Sequence, residues 1–159
     1  MAIEDRRILD VNVLAIYLVS DHPGNEYVSP IVEDGLSGAY TPLILDILPV
    51  RAYWIMTERW GCDRAESAKA VKHFVENYDR PHYYCLQRQT LARSFELSEK
   101  LRHSVYDCVY LAAAMQENAS AILTTDTDFE KLCKNLNLQY INPVPKEVLK
   151  RFRKWKQEP

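Results

Sequence analysis

Short apolar runs alternate along the chain with longer stretches in which apolar residues recur at helical spacing. The short runs are typical of buried strands, and the longer stretches are typical of amphipathic helices. The pattern predicts strands at Arg7–Asn12, Tyr40–Leu45, His82–Leu86, Ala121–Thr125 and Gln139–Ile141, and helices at Val13–Ser20, Asn25–Leu36, Asp46–Arg59, Asp63–Tyr78, Leu91–Leu101, Ser104–Asn118, Asp128–Leu136 and from Lys146 onward. Because strands and helices alternate, we expect a three-layer α/β/α fold with a central, mostly parallel sheet.

Length and composition indicate one ordinary globular domain. The chain has 159 residues, of which 47% are hydrophobic and 26% charged. No apolar run approaches the roughly 18 residues of a membrane helix, and the N-terminus lacks the pattern of a secretory signal. The four cysteines lack the spacing of zinc or redox motifs. We therefore expect a cytoplasmic protein that does not associate with membranes.

Charge is distributed unevenly along the chain. The net charge is −2, which argues against a broadly basic nucleic-acid binder. Lys146–Pro159 nevertheless carries six basic and two acidic residues, with Val148, Phe152 and Trp155 at helical spacing. We expect a main domain over residues 1–145, followed by a basic amphipathic helix over residues 146–159.

Aspartates follow three of the predicted strands. Asp10 lies at or near the end of the first strand, Asp46 follows the second, and Asp126 follows the strand that starts at Ala121. In a sheet of parallel strands, ligands bind beyond the carboxyl ends. Asp107 lies in the first turn of the helix that precedes the Asp126 strand, and it joins the other three if that helix is suitably placed.

A cluster of carboxylates needs neutralisation. Two ionised carboxylates about 4 Å apart repel by roughly 4 kcal/mol at an effective dielectric constant of about 20. Protons or cations must compensate such a cluster. Hard divalent ions such as Mg²⁺ or Mn²⁺ prefer oxygen ligands, and they support hydrolysis of phosphate esters.

Structural roles are alternatives for several of these residues. Asp46 also suits a helix N-cap, and Asp107 completes a capping box that starts at Ser104. Asn12 either shares a strand face with Asp10 or caps the next helix.

For Asp126, in contrast, the sequence offers no structural alternative. Thr127 and Glu130 form a capping box for the following helix, which leaves Asp126 without a structural role. Asp128 suits the first turn of that helix, where an acid complements the helix dipole, with an outer-shell role at the site as the alternative.

Other catalytic signatures do not occur. The chain has no glycine-rich phosphate loop and no Gly-x-Ser-x-Gly elbow. The four histidines show no ligand spacing, and we expect His103 in a loop. The stripe of Tyr53, Trp54 and Trp60 is more typical of a core or a dimer contact than of a surface that stacks nucleic-acid bases.

Four segments together resemble the PIN domain (PilT N-terminus) family, which includes the nuclease domain of VapC-type toxins. They occur in the family's order, followed by Ile141-Asn142-Pro143 at the usual close of the domain, and the resemblance covers residues 7–143. Each motif is weak by itself, and their order and spacing are more specific. The segments are Ile8–Leu14, Thr41–Leu48, Tyr106–Ala114 and Ile122–Phe129.

The resemblance implies a Mg²⁺- or Mn²⁺-dependent endoribonuclease that cuts single-stranded or looped RNA. It also implies a homodimer, and an antitoxin partner if the protein is the toxin of a toxin–antitoxin pair. It assigns the acidic, metal-binding site to four aspartates supported by Asn12 and Thr124: Asp10, Asp46, Asp107 and Asp126. The family usually has Glu where this chain has Asp46, so Asp46 is expected to bind metal weakly or through water.

Two other functions remain open at this level. A phosphohydrolase of the haloacid dehalogenase kind would use Asp10 as its nucleophile, but that family has a second Asp where this chain has Asn12. A catalytically weak PIN-like scaffold would bind RNA or protein without cleaving it.

Overall fold

The computed structural model describes residues 3–155. Its strands form one five-stranded, fully parallel sheet in the order β3-β2-β1-β4-β5. The strands are β1 (Arg6–Leu9), β2 (Thr41–Leu45), β3 (His82–Tyr84), β4 (Ala121–Leu123) and β5 (Gln139–Ile141). The predicted strand order along the chain and the parallel sheet are both confirmed.

Eight α-helices and one π-helical turn connect or follow the strands in the described part of the chain. Most lie within a few residues of their predicted bounds, which fits the usual uncertainty of helix ends. They are α1 (Val11–Leu18), α2 (Asn25–Leu36), α3 (Leu48–Trp54), the π-helical turn (Ile55–Arg59), α4 (Arg64–Asn77), α5 (Arg88–Leu101), α6 (Val105–Gln116), α7 (Asp128–Lys134) and α8 (Lys146–Phe152).

Strand order and handedness place the helices in two layers. The chain moves from β1 to β2 to β3 in one direction, and it then crosses to β4 and β5 on the other side of β1. Parallel connections are right-handed in almost all proteins, so α1–α4 cover one face and α5–α7 cover the other. The fold is the predicted three-layer α/β/α sandwich.

The core lies on both faces of the central strands. Ile8 of β1 pairs with Leu43 of β2 and with Ile122 of β4, and all three side chains are fully buried. Such continuous apolar runs are typical of parallel strands covered on both faces. Among the described residues, no helix is both long enough and apolar enough to cross a membrane.

The last described helix packs against the body of the protein. Val148 of α8 is buried in the core. The rings of Phe152 and Trp155 lie 4.7 and 4.6 Å from the ring of His22, between centroids. The predicted apolar face of this segment therefore covers the domain, whereas residues 156–159 of the predicted helix lie outside the described residues.

The strand order reverses between β1 and β4. Chain connections leave these two neighbouring strands in opposite directions, which opens a crevice at their carboxyl ends. The residues that directly follow β1 and β4 border this crevice.

Candidate active site

Asp10 occupies the junction between β1 and α1. The predicted strand over Arg7–Asn12 is too long, because β1 ends at Leu9 and α1 begins at Val11. Asp10 caps the helix in extended backbone geometry, and its Oδ1 accepts a 2.6 Å hydrogen bond from the Val11 amide. The Asp10 amide donates to the Leu123 carbonyl at 2.9 Å, which ties the junction to β4. The side chain is only 5% exposed.

The second oxygen of Asp10 joins the two central strand ends. Asp10 Oδ2 accepts hydrogen bonds from Thr124 Oγ1 at 2.7 Å and from Asn12 Nδ2 at 3.0 Å. Asn12 lies inside the first turn of α1 and neither extends the strand nor caps the helix, so both sequence alternatives for it are wrong. Its Oδ1 accepts from the Thr125 amide at 3.3 Å. Asn12 and Thr124 thus hold Asp10 against the β4 end.

Opposing effects act on the Asp10 carboxyl. Burial raises the pKa of Asp10 above its ordinary value, and the nearby Asp126 charge adds to this rise. Hydrogen bonds from Thr124, Tyr110 and the Val11 amide act in the opposite direction but do not cancel the rise. The ionised form of Asp10 is therefore costly until a positive charge approaches it.

Asp126 has a structural role that the sequence analysis did not assign to it. Its Oδ1 accepts a 3.0 Å hydrogen bond from the Asp128 amide at the start of α7, and its own amide donates to Thr124 Oγ1 at 3.0 Å. Thr127 makes no side-chain capping bond, so the predicted Thr127 capping box is wrong. A short Asx turn at Asp126 serves in its place.

The electrostatic environment of Asp126 resembles that of Asp10. Burial raises the pKa of Asp126, and the charges of Asp128 and Asp107 raise it further. The Asp128 amide and His103 oppose this rise. Asp128 itself is exposed at the first turn of α7 and affects the site through its amide and its charge.

Asp107 lies in the first turn of α6 and pairs with a histidine. Its Oδ2 lies 2.7 Å from Nε2 of His103, and the two side chains are 23% and 25% exposed. The Ser104 side chain makes no capping bond, so the capping-box alternative for Asp107 is wrong. His103 lies in the loop before α6, as expected, but sequence reasoning gave it no role at the site. Its spacing of four residues from Asp107 is the signal that would have identified it.

Tyr110 is a second residue that sequence reasoning missed. It lies one turn beyond Asp107 on α6, and it is buried. Its hydroxyl accepts a 3.3 Å hydrogen bond from the Val11 amide, directly beside Asp10. Tyr110 therefore links the helix that carries Asp107 to the junction that carries Asp10.

Asp46 stands apart from this network. It follows β2 and is exposed, and its amide extends the ladder by donating to the Tyr84 carbonyl at 2.9 Å. Ile47 precedes α3 without a side-chain capping bond, so the N-cap alternative for Asp46 is wrong. The carboxylate borders a groove of about 770 Å³ between α3 and α4. Its charge reaches the buried Tyr84 hydroxyl, as does that of Asp10.

The donor set suits a hydrated divalent cation. Within residues 3–155, no three acidic, histidine or cysteine side chains lie close enough to form a ready-made metal cage. Mg²⁺ commonly keeps several waters and takes only one or two carboxylates, so it does not require such a cage. Asp107 Oδ1 and Asp126 Oδ2 accept no hydrogen bond from the described residues. These two oxygens are available to a hydrated ion.

Comparison with known proteins agrees with the geometry. The structure resembles that of VapC20 from Mycobacterium tuberculosis, a toxin that cleaves the sarcin-ricin loop, with a TM-score of 0.63 and 11% identity over 79% of this chain and 94% of that one. It also resembles VapBC2 from Rickettsia felis, solved with a DNA fragment of its promoter, with a TM-score of 0.64 and 17% identity over 86% and 98% of the two chains. At these identities the likeness shows the fold alone.

Sequence comparison supplies the family. No curated protein sequence gives a significant match to the chain. The family model described as the PIN domain matches residues 7–135, which is most of the chain. The chain belongs to the PIN domain family.

Proposed function

We propose that this protein is a divalent-metal-dependent endoribonuclease that hydrolyses phosphodiester bonds in single-stranded or looped RNA. The main support is that the Asp126 charge acts on Asp10 and the Asp107 charge acts on Asp126, beyond the carboxyl ends of β1 and β4. Burial raises the pKa of both Asp10 and Asp126; the Asp126 charge adds to the rise of Asp10, and the Asp107 charge adds to that of Asp126. Carboxylates that lack a neutralising partner are suited to bind a cation.

The available oxygens suggest how the site would hold its ion. Asp107 Oδ1 and Asp126 Oδ2 would bind Mg²⁺ or Mn²⁺ directly. The buried Asp10 carboxylate would add negative charge nearby. Asp46, which is exposed and outside the network, would contribute through water. A bound ion would supply Lewis-acid activation of a water molecule and stabilisation of negative charge on the phosphate.

The chain's own residues would orient the site. Thr124 and Asn12 hold the Asp10 carboxylate in one rotamer, and His103 holds that of Asp107. Restraints of this kind keep carboxylates in place without further reorganisation when substrate binds. The acidic crevice repels phosphate in the absence of metal, so entry of the scissile phosphate and its cleavage both depend on the cation, whereas RNA contacts outside the crevice do not.

The biological context forms part of the same proposal. The solved structures that share this fold include a toxin and a toxin–antitoxin complex. We infer that the chain is the toxin of such a pair, that it acts as a homodimer in the cytoplasm, and that an antitoxin protein restrains it. The division into a nuclease domain (1–145) and a basic C-terminal helix (146–159) stays a prediction.

The geometry disfavours the phosphohydrolase alternative. A covalent nucleophile must reach the phosphorus atom of its substrate. Asp10 is 5% exposed, and both of its oxygens already accept hydrogen bonds. Asp10 is better placed to hold charge near the site than to attack a phosphate.

Cleavage of RNA with and without metal tests the proposal. We expect the purified protein to cut single-stranded RNA in Mn²⁺ or Mg²⁺, and to lose this activity when EDTA is added. Asp10→Asn and Asp107→Asn should each lower the cleavage rate by at least about 100-fold, the scale of several kcal/mol that a metal site supplies. Asp79→Asn is the matched control, because Asp79 is exposed and precedes β3 at the opposite edge of the sheet.

Three outcomes would contradict the proposal. Cleavage that persists in EDTA would exclude metal dependence. Unchanged cleavage by both site variants would exclude the assigned residues. Binding of RNA without any cleavage by the wild type would favour the scaffold alternative.

A further inference from the structure

The turn of α6 that carries Asp107 also carries an exposed aromatic ring next to an arginine. Tyr106, which directly precedes Asp107 on α6, is 69% exposed. The guanidinium carbon of Arg51 on α3 lies 5.8 Å from the centroid of the Tyr106 ring. At this exposure the ring contributes little to the core, and its face is accessible to a ligand.

A second pair of the same kind lies one helical turn further along α3. Trp54 is 53% exposed, and the guanidinium carbon of Arg59 lies 5.8 Å from the centroid of its ring. Positions 51 and 54 share a face of the helix because residues three apart are neighbours on its surface. Trp54 was expected in a core or a dimer contact; the core alternative is wrong, since the ring is exposed. We call Tyr106, Arg51, Trp54 and Arg59 together the aromatic–arginine ridge.

The two arginines of the ridge keep their charge available. Neither Arg51 nor Arg59 forms an ion pair with an acid in the part of the chain that the structure describes. Glu58, the acid next to Arg59 in sequence, pairs with Arg64 at 2.5 Å. The ridge therefore presents unpaired positive charge alternating with flat rings.

The ridge lies beside the acidic site. Tyr106 and Asp107 share the first turn of α6, and the guanidinium of Arg51 lies over the Tyr106 ring. Tyr110 of the same helix accepts a hydrogen bond from the Val11 amide, next to Asp10. A polyanion with exposed bases could contact the ridge and reach the carboxylates of the crevice at the same time.

We propose that the aromatic–arginine ridge is the substrate-binding platform of the nuclease, on which Tyr106 stacks a base of single-stranded RNA while Arg51 holds an adjacent phosphate. This inference rests on the proposed function. Duplex RNA hides the faces of its bases, whereas single strands offer them for stacking on aromatic side chains. Alternating rings and cations are the recurring means of holding such strands.

The position of Tyr106 defines which part of the substrate it reads. Tyr106 and Asp107 share the first turn of α6, so we place the stacked base within a few nucleotides of the bond that is cut. The ring accepts any base by stacking, so it selects unpaired RNA and not a particular sequence. Trp54 extends the platform to nucleotides further from the scissile bond.

Binding of a labelled oligonucleotide by variants tests the platform. The probe is a fluorescein-labelled single-stranded RNA of about 10 nucleotides, a length within the usual site size, measured by anisotropy in EDTA. We expect Tyr106→Ala to raise Kd by about 5- to 50-fold, the range that base stacking supplies. Tyr106→Phe should bind as the wild type does, because it keeps the ring. Phe95→Ala is the matched control, since Phe95 is 65% exposed on α5.

A second variable separates stacking from a general structural effect. The same measurement is made with oligonucleotides in which single nucleotides are abasic. If Tyr106 stacks a base, one abasic position should remove most of the difference between wild type and Tyr106→Ala, because the two changes delete the same contact. A ring that only supports the fold would leave that difference unchanged at every position.

The outcomes distinguish failure of the platform from failure of the proposed function. The KM for RNA cleavage in Mn²⁺ is the second readout, with an increase expected for Tyr106→Ala and Arg51→Ala and little change in kcat. If the wild type binds and cleaves RNA but Tyr106→Ala does so equally well, the platform is excluded and the nuclease remains. A change of oligomeric state without a change in Kd or KM would assign the ridge to a protein interface. If the wild type neither binds nor cleaves RNA, both proposals fail.

Discussion

Charged side chains are paired with opposite charges at one edge of the central sheet, and acidic side chains lack arginine and lysine partners at the other edge. At the amino edge, where the strands begin, acids and bases neutralise one another. Arg7 pairs with Asp5 at 2.7 Å, and Arg6 pairs with Glu117 at 3.3 Å. The hydrogen bond from Arg7 lowers the pKa of Asp5 below its ordinary value. These acids and bases of the amino edge therefore neutralise one another within the described chain.

At the carboxyl edge, the carboxylates lack arginine and lysine partners among the described residues. Asp10 and Asp126 are held by hydroxyl, amide and backbone donors, and the pKa of each is raised. Among residues 3–155, the basic side chain that pairs with Asp107 is a histidine. Ion pairs of these carboxylates with arginine or lysine would have stabilised the fold, as the ion pairs at the amino edge do.

The contrast indicates a structural role for the amino edge and a functional role for the carboxyl edge. Opposite charges at the amino edge stabilise the protein without any ligand. Like charges at the carboxyl edge cost stability and are typical of functional sites, where an external cation completes the pairing. The following predictions test this contrast, starting with the largest effect.

Removing one charge at each edge should separate activity from structure. Asp126→Asn keeps the oxygen that accepts from the Asp128 amide but removes a charge from the proposed metal site. We expect RNA cleavage to fall by about 100-fold or more. Asp5→Asn at the amino edge should change cleavage by no more than about twofold, because it lies outside the site. Similar losses in both variants would contradict a functional distinction between the edges.

Binding of a cation should stabilise only the carboxyl edge. At a Mn²⁺ concentration of about 100 times its Kd, binding adds roughly 2.7 kcal/mol to the free energy of unfolding, which raises Tm by about 5 to 10 °C for a chain of this size. The shift should appear in the wild type and in Asp5→Asn, and disappear in Asp107→Asn. Thermal melting with and without EDTA measures it. A shift that persists in Asp107→Asn would place the cation elsewhere.

Each edge carries a histidine–carboxylate pair, and the two should differ in function. His103 lies 2.7 Å from Asp107, and His82 lies 3.1 Å from Glu117. Residues that orient metal ligands commonly contribute about 10-fold to activity. We therefore expect His103→Ala to lower the cleavage rate by about 10-fold in Mn²⁺, and His82→Ala to leave it unchanged. Equal rates for the two variants would show that His103 does not position Asp107.

The amino edge should contribute a small stability that acid removes. Because the pKa of Asp5 is lowered in the fold, its ionised form stabilises the protein at neutral pH, and this contribution is lost as pH falls through the lowered value. The Asp5 side chain is 40% exposed, so Asp5→Asn should cost only about 0.5 to 1 kcal/mol at pH 7. Urea unfolding of both proteins in EDTA measures the difference, which should approach zero once the pH has fallen below the lowered pKa of Asp5. A difference independent of pH would contradict the ion-pair explanation.

Elements with strong local signals were predictable. The alternation of short segments containing apolar residues with helical stretches predicted every strand in the described region, and β5 has its predicted bounds. The acids that follow three strands could be placed at one edge because parallel strands end there. Errors concentrate where a side chain chooses between partners: Asp126, and not Thr127, makes the bond that starts α7.

Contacts between segments that lie far apart in the sequence were harder to predict. The sequence analysis placed Asp46 in the acidic site with weak or water-mediated metal binding, and the structure leaves it exposed and outside the hydrogen-bond network of Asp10. Tyr110 and His103 gained roles only because α6 packs beside the β1–α1 junction. Tyr110 has no local pattern that distinguishes it from an ordinary helix residue, and the four-residue spacing of His103 from Asp107 indicates a role only once Asp107 is placed at the site.

By itself, the sequence determined the order of strands and helices, the parallel sheet and the edge at which the aspartates gather, because these follow from hydrophobic periodicity and from strand direction. Tertiary structure decided which carboxylates interact electrostatically and which of their oxygens remain available to a cation. It also decided which rings and arginines border the site. Those properties depend on distances between residues up to 114 positions apart, as in the bond from Thr124 to Asp10, and packing alone sets such distances.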